Sequence, residues 1–366
     1  MKVKIIYFVS FIVLLVSCSS PVDEAPQGTS LNKPEDQNRQ TVLEPSIEND
    51  VPGLSAEEAA SLESLELLDE YPLYSMHYYG SYSLGDSTAL DSENDVVHTE
   101  RSDVWACSLF AYFADPASSL YGRNFDWYFS PAVLLFTDPP DGYASVSMVD
   151  IDYLGFGEIQ GRDLLDLPAS DLIRLLDAPY LPFDGMNEFG LVVGMAAVPE
   201  SNQPEIPDQE TIDSLMVIRY VLDSARTVDE ALEIFRDYHL DWGNGPALHY
   251  LVADQSGRSI LIEFWRGELV VIENNSDWQA ATNFLQSAHG QDASGVCDRY
   301  DLISDRLDTA QGYFSTDEAF LLLDSVSQTN TQWSVVYGMS DGAVRVVMGR
   351  VYNNQHTLWL EMKTEE

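Results

Sequence analysis

The order in which strand-like and helix-like segments follow one another limits this chain's fold more than any other feature of its sequence. Two strand patterns, residues 105–113 and 119–127, flank the turn cluster Asp115-Pro116-Ala117-Ser118 and read as a hairpin. Further strand patterns follow at 133–136, 143–149 and 190–198. Helical spacing then covers 213–225 and 228–238, the second opening on Thr227 as N-cap with Glu230 at the capping-box position. Strand patterns return at 247–254, 259–265, 269–273 and 280–283, with Gln255-Ser256-Gly257-Arg258 as the turn between the first two. Helices at 299–309 and 316–326 precede three last strands at 332–337, 343–350 and 357–362. Strands and helices grouped in blocks predict an α+β fold of antiparallel sheets with helices on their outer faces. A doubly wound fold is excluded, because its helices alternate with single strands. Ahead of the hairpin, 56–68 reads as a helix behind Ser55, 73–84 as a strand and 85–101 as a polar loop.

The start of the chain is not part of that fold. Lys2 and Lys4 precede an apolar run too short to span a bilayer comfortably, which makes residues 1–17 an export signal. Leu15-Val16-Ser17-Cys18 has the order of a lipobox, so the expectation is cleavage ahead of Cys18 and a diacylglycerol on its thiol. Residues 18–55 are rich in Pro, Glu, Asp, Asn, Gln and Ser and read as a disordered tether, because they cannot bury enough surface to offset the entropy of ordering. Residues 56–106 are expected to form an N-terminal segment and 107–366 the main folded domain. The expected location is therefore the cell envelope or cell surface, held by the lipid anchor. A formal charge of −42, from 60 acidic and 18 basic residues, repels nucleic acid and anionic headgroups. Neither is an expected partner, and the membrane enters only through the anchor.

Of the three cysteines, Cys107 sits in a setting with chemistry in it. Trp105-Ala106-Cys107-Ser108 and Gly122-Arg123-Asn124-Phe125-Asp126-Trp127 lie on the two arms of one hairpin. Arg123 and Asp126 cannot share a face of an ideal strand, yet a strand end or bulge brings both to Cys107. A guanidinium favours a thiolate, and a carboxylate holds an ammonium. Both have a purpose if Cys107 becomes the first residue of a mature chain, whose free α-amine, with an ordinary pKa of about 7.7–8.0, is then the general base. The six histidines are scattered, none in a recognisable catalytic motif, and no Cys/His spacing implies a metal. No cofactor is expected.

These motifs resemble the choloylglycine hydrolase and penicillin acyltransferase group of N-terminal-nucleophile hydrolases. Besides the cysteine and GRNFDW, DGMNEFGLVVGM (184–195), ALHYLVADQSGRSILIEF (247–264), ATNF (281–284) and CDRYDLI (297–303) occur in that group's order. The resemblance implies a four-layer αββα sandwich, self-cleavage between Ala106 and Cys107, and hydrolysis or transfer of acyl groups from linear amides. It implies Cys107 as nucleophile with Arg123 and Asp126 beside it, Asn283 as an oxyanion donor and Arg299 as the last member of the charged cluster. Where bile-salt hydrolases carry a second asparagine, this chain has Ala197, which can serve only through its backbone N–H. A bile-salt preference is therefore not expected, and the partner is a small-molecule amide of unspecified acyl group.

Trp127, Tyr128, Phe129, Phe136 and Phe284 flank the site as pocket or as core, and Asn187-Glu188 reads as a structural turn. Two other readings stay open at this point. One is a papain-like hydrolase with His249 or His289 as base. The other is a lipid-anchored binding protein with a Cys107–Cys297 disulfide.

Overall fold

A computed structural model describes residues 51–83, 106–157, 163–243, 245–290, 293–310 and 312–363. The export signal, Cys18, most of the tether and the loop at 85–101 lie outside the described residues, as does Trp105.

Strands buried on both faces read as continuous apolar runs, and two sheets are built from them. The larger has nine strands in the order β1 (Glu66–Asp69), β2 (Leu73–Tyr78), β5 (Ala132–Thr137), β6 (Ser145–Asp150), β7 (Pro182–Asn187), β8 (Val192–Val198), β11 (Ala247–Ala253), β12 (Ser259–Trp265) and β13 (Glu268–Glu273). The smaller has six, in the order β14 (Trp278–Ala281), β3 (Ser108–Tyr112), β4 (Leu120–Asp126), β15 (Thr331–Gly338), β16 (Ala343–Met348) and β17 (His356–Trp359). A separate parallel pair joins β9 (Glu210–Asp213) to β10 (Tyr238–Asp241).

The two sheets meet face to face. Tyr121 Oη on β4 donates to the Leu251 carbonyl on β11 at 3.0 Å. A Cβ on Gly194 of β8 would lie 2.7 Å from that same Tyr121 oxygen, so the glycine permits the close approach. Helices α3 (Met216–Ser224) and α4 (Val228–Asp237) cover the outer face of the nine-stranded sheet, where Phe235 packs on Tyr250 with ring centroids 4.8 Å apart. Helices α5 (Asp298–Thr309) and α6 (Thr316–Val326) cover the six-stranded sheet, closing a second core of Phe110, Ile303, Leu307, Phe320, Leu323 and Val347. The layers are helix, sheet, sheet, helix, as the sequence predicts. A short helix α1 (Ala56–Glu63) packs against β2, and α2 (Ala169–Leu172) leads into a 3-10 segment.

Three expectations need correction, and one strand escaped the sequence pattern. The helix at 56–68 stops at Glu63, because the Ser64 N–H closes on helix carbonyls and residues 66–69 pair with β2 instead. Ser64 fastens that switch: its hydroxyl accepts from the His77 N–H at 2.9 Å. The sheets are not wholly antiparallel, since β2 runs parallel to β5. Strand β7 occupies PFDGMN, a composition that argues against a strand, and is buried along its whole length between β6 and β8. Glu230 does not close a box on Thr227: Thr227 caps the Glu230 N–H at 3.2 Å, but the Glu230 carboxylate reaches the Arg226 N–H at 2.6 Å.

The segment preceding Cys107 is tied into this framework. Strands β1 and β2 form one edge of the large sheet. Tyr82 reaches a buried cluster in which Arg219 on α3 donates to Asp223 at 2.9 Å and to the Thr137 and Ser145 hydroxyls at 3.0 and 2.9 Å. The Tyr82 hydroxyl donates to Asp223 at 3.0 Å. A buried guanidinium with this many hydrogen-bond partners is costly to strip of them, so the segment is an integral part of the fold. Asn187, at the end of β7, is structural: its oxygen accepts from the Phe189 and Leu191 N–H groups, and its amide donates to the Leu222 and Ala225 carbonyls.

Candidate active site

Cys107 stands immediately ahead of β3, the second strand of the smaller sheet. The β3–β4 register pairs Leu109 with Arg123 and Ser108 with Asn124, so Cys107 falls opposite Phe125. Alternation then puts Cys107, Leu109 and Arg123 on the inner face, while Asn124 points out and donates to the Leu323 carbonyl of α6 at 2.8 Å. On the other side, β14 pairs Ala281 with Leu109. Two residues further along that register, Asn283 comes opposite Cys107. The strand predicted at 280–283 ends at Ala281, which leaves Asn283 in the turn that follows.

Opposite Asp126, at the end of β4, strand β15 carries a bulge. Thr331 of β15 pairs with Asp126 and Trp333 with Phe125, leaving Gln332 as the extra residue. Gln332 is held by its own contacts: its amide donates to the Trp127 carbonyl at 2.9 Å, and its oxygen accepts from Tyr71 Oη at 2.8 Å and the Ser130 N–H at 3.2 Å. Asp126 Oδ1 accepts from the Thr331 hydroxyl, and Oδ2 is buried without a hydrogen-bond partner.

Arg123 is completely buried, so it needs a counter-charge. Asp184 on β7 supplies it, pairing with Arg123 Nη1, which also donates to the Phe183 carbonyl at 2.9 Å. Tyr337 on β15 donates to the other Asp184 oxygen. Asp184, Tyr337 and Thr331 are supporting residues that sequence reasoning did not single out.

Arg299, in the first turn of α5, spans the site. Its Nη1 donates to the Ala106 carbonyl at 2.5 Å, the Cys107 carbonyl at 2.6 Å and the Ser108 hydroxyl at 2.9 Å. Its Nη2 donates to Asn283 Oδ1 at 3.1 Å, and Asn283 Nδ2 donates to the Ala197 carbonyl at 2.8 Å. The structure thus brings Ala106, Cys107, Arg123, Asp126, Asn283 and Arg299 together. Ala197, expected to act through its N–H, meets Asn283 through its carbonyl oxygen.

Burial pushes the Cys107 thiol up. Arg123, a backbone hydrogen bond from Asp126 and the Arg299 charge pull it down, while the Asp126 carboxylate adds to the rise. Burial likewise pushes Asp126 up to about 7, against Thr331, Arg299, Arg123 and Arg350. Nearby Asp150, at the end of β6, is pushed up to about 8 by burial against hydrogen bonds from Ser130 and the Asp152 backbone.

A carboxyl group whose folded pKa is raised lends stability that is whole below its unfolded pKa of about 3.9 and is lost as pH rises through the folded value. The Cys107→Ala chain should therefore become easier to denature between pH 5 and pH 8. Asp150→Asn in that background should flatten the slope in urea titrations, and an unchanged slope would contradict the assignment.

Both open alternatives weaken at this point. Cys107 and Cys297 are free thiols, which removes the disulfide. His249 is buried against Glu263, and His289 stacks its edge on Phe284 at 5.7 Å, while the charges acting on the thiol come from arginine and aspartate. Of the flanking aromatics, Trp127, Phe136 and Phe284 are buried. Phe125 stacked on Trp333, with Phe183 edge-on to both, completes beside Arg123 an aromatic wall that the sequence reading did not assemble.

Residues 182–349 match the model of the acyl-coenzyme A:6-aminopenicillanic acid acyl-transferase family. An uncharacterised protein of Paramecium bursaria Chlorella virus 1 is 29% identical over 164 residues, 40% of this chain and 58% of that protein. The chain thus spans little more than half the length of that relative. A variant of the conjugated bile acid hydrolase from Clostridium perfringens superposes with a TM-score of 0.50 at 17% identity, covering 71% of this chain and 93% of that one. A second variant of that hydrolase gives 0.50 at 16% identity, with 69% and 92% covered. At such identities the likeness is one of fold, and it agrees with the four layers described above. The chain is thus similar to the acyl-coenzyme A:6-aminopenicillanic acid acyl-transferase family over residues 182–349 and shares the fold of the conjugated bile acid hydrolase.

Proposed function

We propose that this protein cleaves itself between Ala106 and Cys107 and then hydrolyses, or transfers the acyl group of, linear amides through an acyl thioester on Cys107. One observation carries the reading: a buried thiol lies among Arg123, Asp126 and Arg299, with the Arg299 guanidinium on the carbonyl oxygen of the residue before it.

In self-cleavage the Cys107 sulfur adds to the Ala106 carbonyl carbon, and Arg299 steadies the oxyanion. The carbon–nitrogen bond then breaks, the freed nitrogen takes the thiol proton, and water opens the thioester to an Ala106 carboxylate and a free cysteine. The new α-amine is the base that the site otherwise lacks, and Asp126 Oδ2 is the buried acceptor to hold it as an ammonium. In turnover the amine takes the thiol proton and the thiolate adds to the substrate carbonyl. The ammonium then gives its proton to the leaving amine. Water, or a second amine, removes the acyl group and restores the thiol.

The segment ahead of Ala106 stays docked through β1, β2 and Tyr82, and would keep the enzyme on a lipid at Cys18 at the outer side of the membrane. The family match and the bile acid hydrolase fold support an amide-cleaving or acyl-transferring reaction. Ala197, with no side-chain amide, supports an acyl group other than a bile acid.

Intact mass spectrometry of the wild-type protein should give two chains, the second starting at Cys107. Incubation with N-acyl amino acids and phenoxyacetyl or fatty-acyl amides should release the amine. A chain that stays whole yet hydrolyses amides would sink the N-terminal-nucleophile mechanism, and failure on every amide class would sink the activity.

A further inference from the structure

The turn that carries Asn283 is fixed by a buried carboxylate on the opposite sheet. Glu263, on β12, is fully buried, and its oxygens accept from the Gln286 N–H and the Ser287 N–H, each at 2.8 Å. Its third partner is His249 Nδ1 on β11, at 3.2 Å. His249 pairs with Ala196 across the β8–β11 ladder, one position from the Ala197 carbonyl that receives Asn283. The other ring nitrogen of His249 is buried and makes no hydrogen bond. A buried carboxylate with three donors is an orienting group, because removing any donor leaves charge unpaired where water cannot replace it.

We infer that Glu263 and His249 are positioning residues: they clamp the 284–287 turn to the large sheet and so hold the Asn283 amide at the distance the reaction requires. Neither touches the reacting atoms. Asn283 is then fixed from three sides: Ala197 below it, Arg299 beside it and the Glu263 clamp behind its own backbone. Loss of the clamp lets the amide drift, and a drift of about 1 Å is enough to cost up to 10²-fold in rate.

This inference rests on the amide-hydrolase reading, so its first test does not use activity. In the uncleaved Cys107→Ala chain, Glu263→Gln should raise hydrogen exchange at the Gln286 and Ser287 amides while leaving β3 and β4 protected. In the active chain, Glu263→Gln and His249→Leu should each lower kcat at least tenfold with KM changed less than twofold. Both should still cleave at Cys107.

His249→Asn keeps a donor where Nδ1 stands and should recover most of kcat with the wild-type pH profile. Should Glu263→Gln fail to fold, the pair His249→Leu and His249→Asn decides. An Asn variant as inactive as the Leu variant, with one limb of the pH profile gone, would make His249 a proton carrier and overturn the clamp. Unchanged exchange at both amides would overturn it as well.

Discussion

Cys107→Ala should leave the chain in one piece and lower amide hydrolysis by about 10⁶-fold, the scale on which a hydrolase depends on its nucleophile. Two losses coincide in this variant. Without the sulfur no thioester forms at Ala106, so the α-amine is never released, and without the sulfur no acyl-enzyme forms even if that amine were supplied. Intact mass of wild type and variant side by side reads the first loss, and amine release reads the second: a single mass for the variant and two for the wild type is the expected pair. The variant should still fold, since Cys107 lies ahead of β3 and its replacement removes one buried sulfur from a large core. A variant that cleaves at Ala106 as the wild type does would sink the proposal, because the break would then belong to another group or an outside protease.

The block order of strands and helices carried the architecture, because strands such as β5, β8 and β12 are buried on both faces and declare themselves by largely apolar runs. The helix 316–326 and the strand 259–265 have the bounds that the pattern predicts. Strand β7 was invisible for the opposite reason. Its Pro, Asp, Gly and Asn are there for close approach and for the site: a Cβ on Gly185 would lie 2.7 Å from the Val146 carbonyl oxygen, and Asp184 pairs with Arg123. The parallel pairing of β2 with β5 joins segments separated by the residues around Cys107, and no local signal specifies it. A fully buried Arg123 demands an acidic partner, but in a chain with 60 acidic residues the demand does not name one. Had residues 182–187 been read as a buried strand, Asp184 would have been the one acid inside it. The bulge opposite Asp126 was legible as a need, from the spacing of Arg123 and Asp126. Its location at Gln332 was not, since that depends on contacts with Tyr71, Trp127 and Ser130 far along the chain.

Asn283→Ala should lower kcat by 10²- to 10³-fold, about 2.7–4 kcal/mol of barrier, with little change in KM. An amide nitrogen carries two protons, and one is committed to the Ala197 carbonyl. The other is available to an oxyanion, whose charge grows only in the transition state, which is why the loss falls on kcat and not on binding. Self-cleavage should suffer less. There the oxyanion forms on the Ala106 carbonyl, which already accepts from Arg299 at 2.5 Å. Asn283 contributes to that step through Arg299 Nη2, which it steadies as an acceptor. Asn283→Asp keeps the acceptor for Arg299 Nη2 but brings no proton to the substrate, so it shares the fate of Asn283→Ala in turnover. The expected ordering is therefore near-complete processing in both variants and poor turnover in both, measured by intact mass and by steady-state release of amine. If Asn283→Ala turns over amides at the wild-type rate, the oxyanion donor must be sought among backbone N–H groups alone.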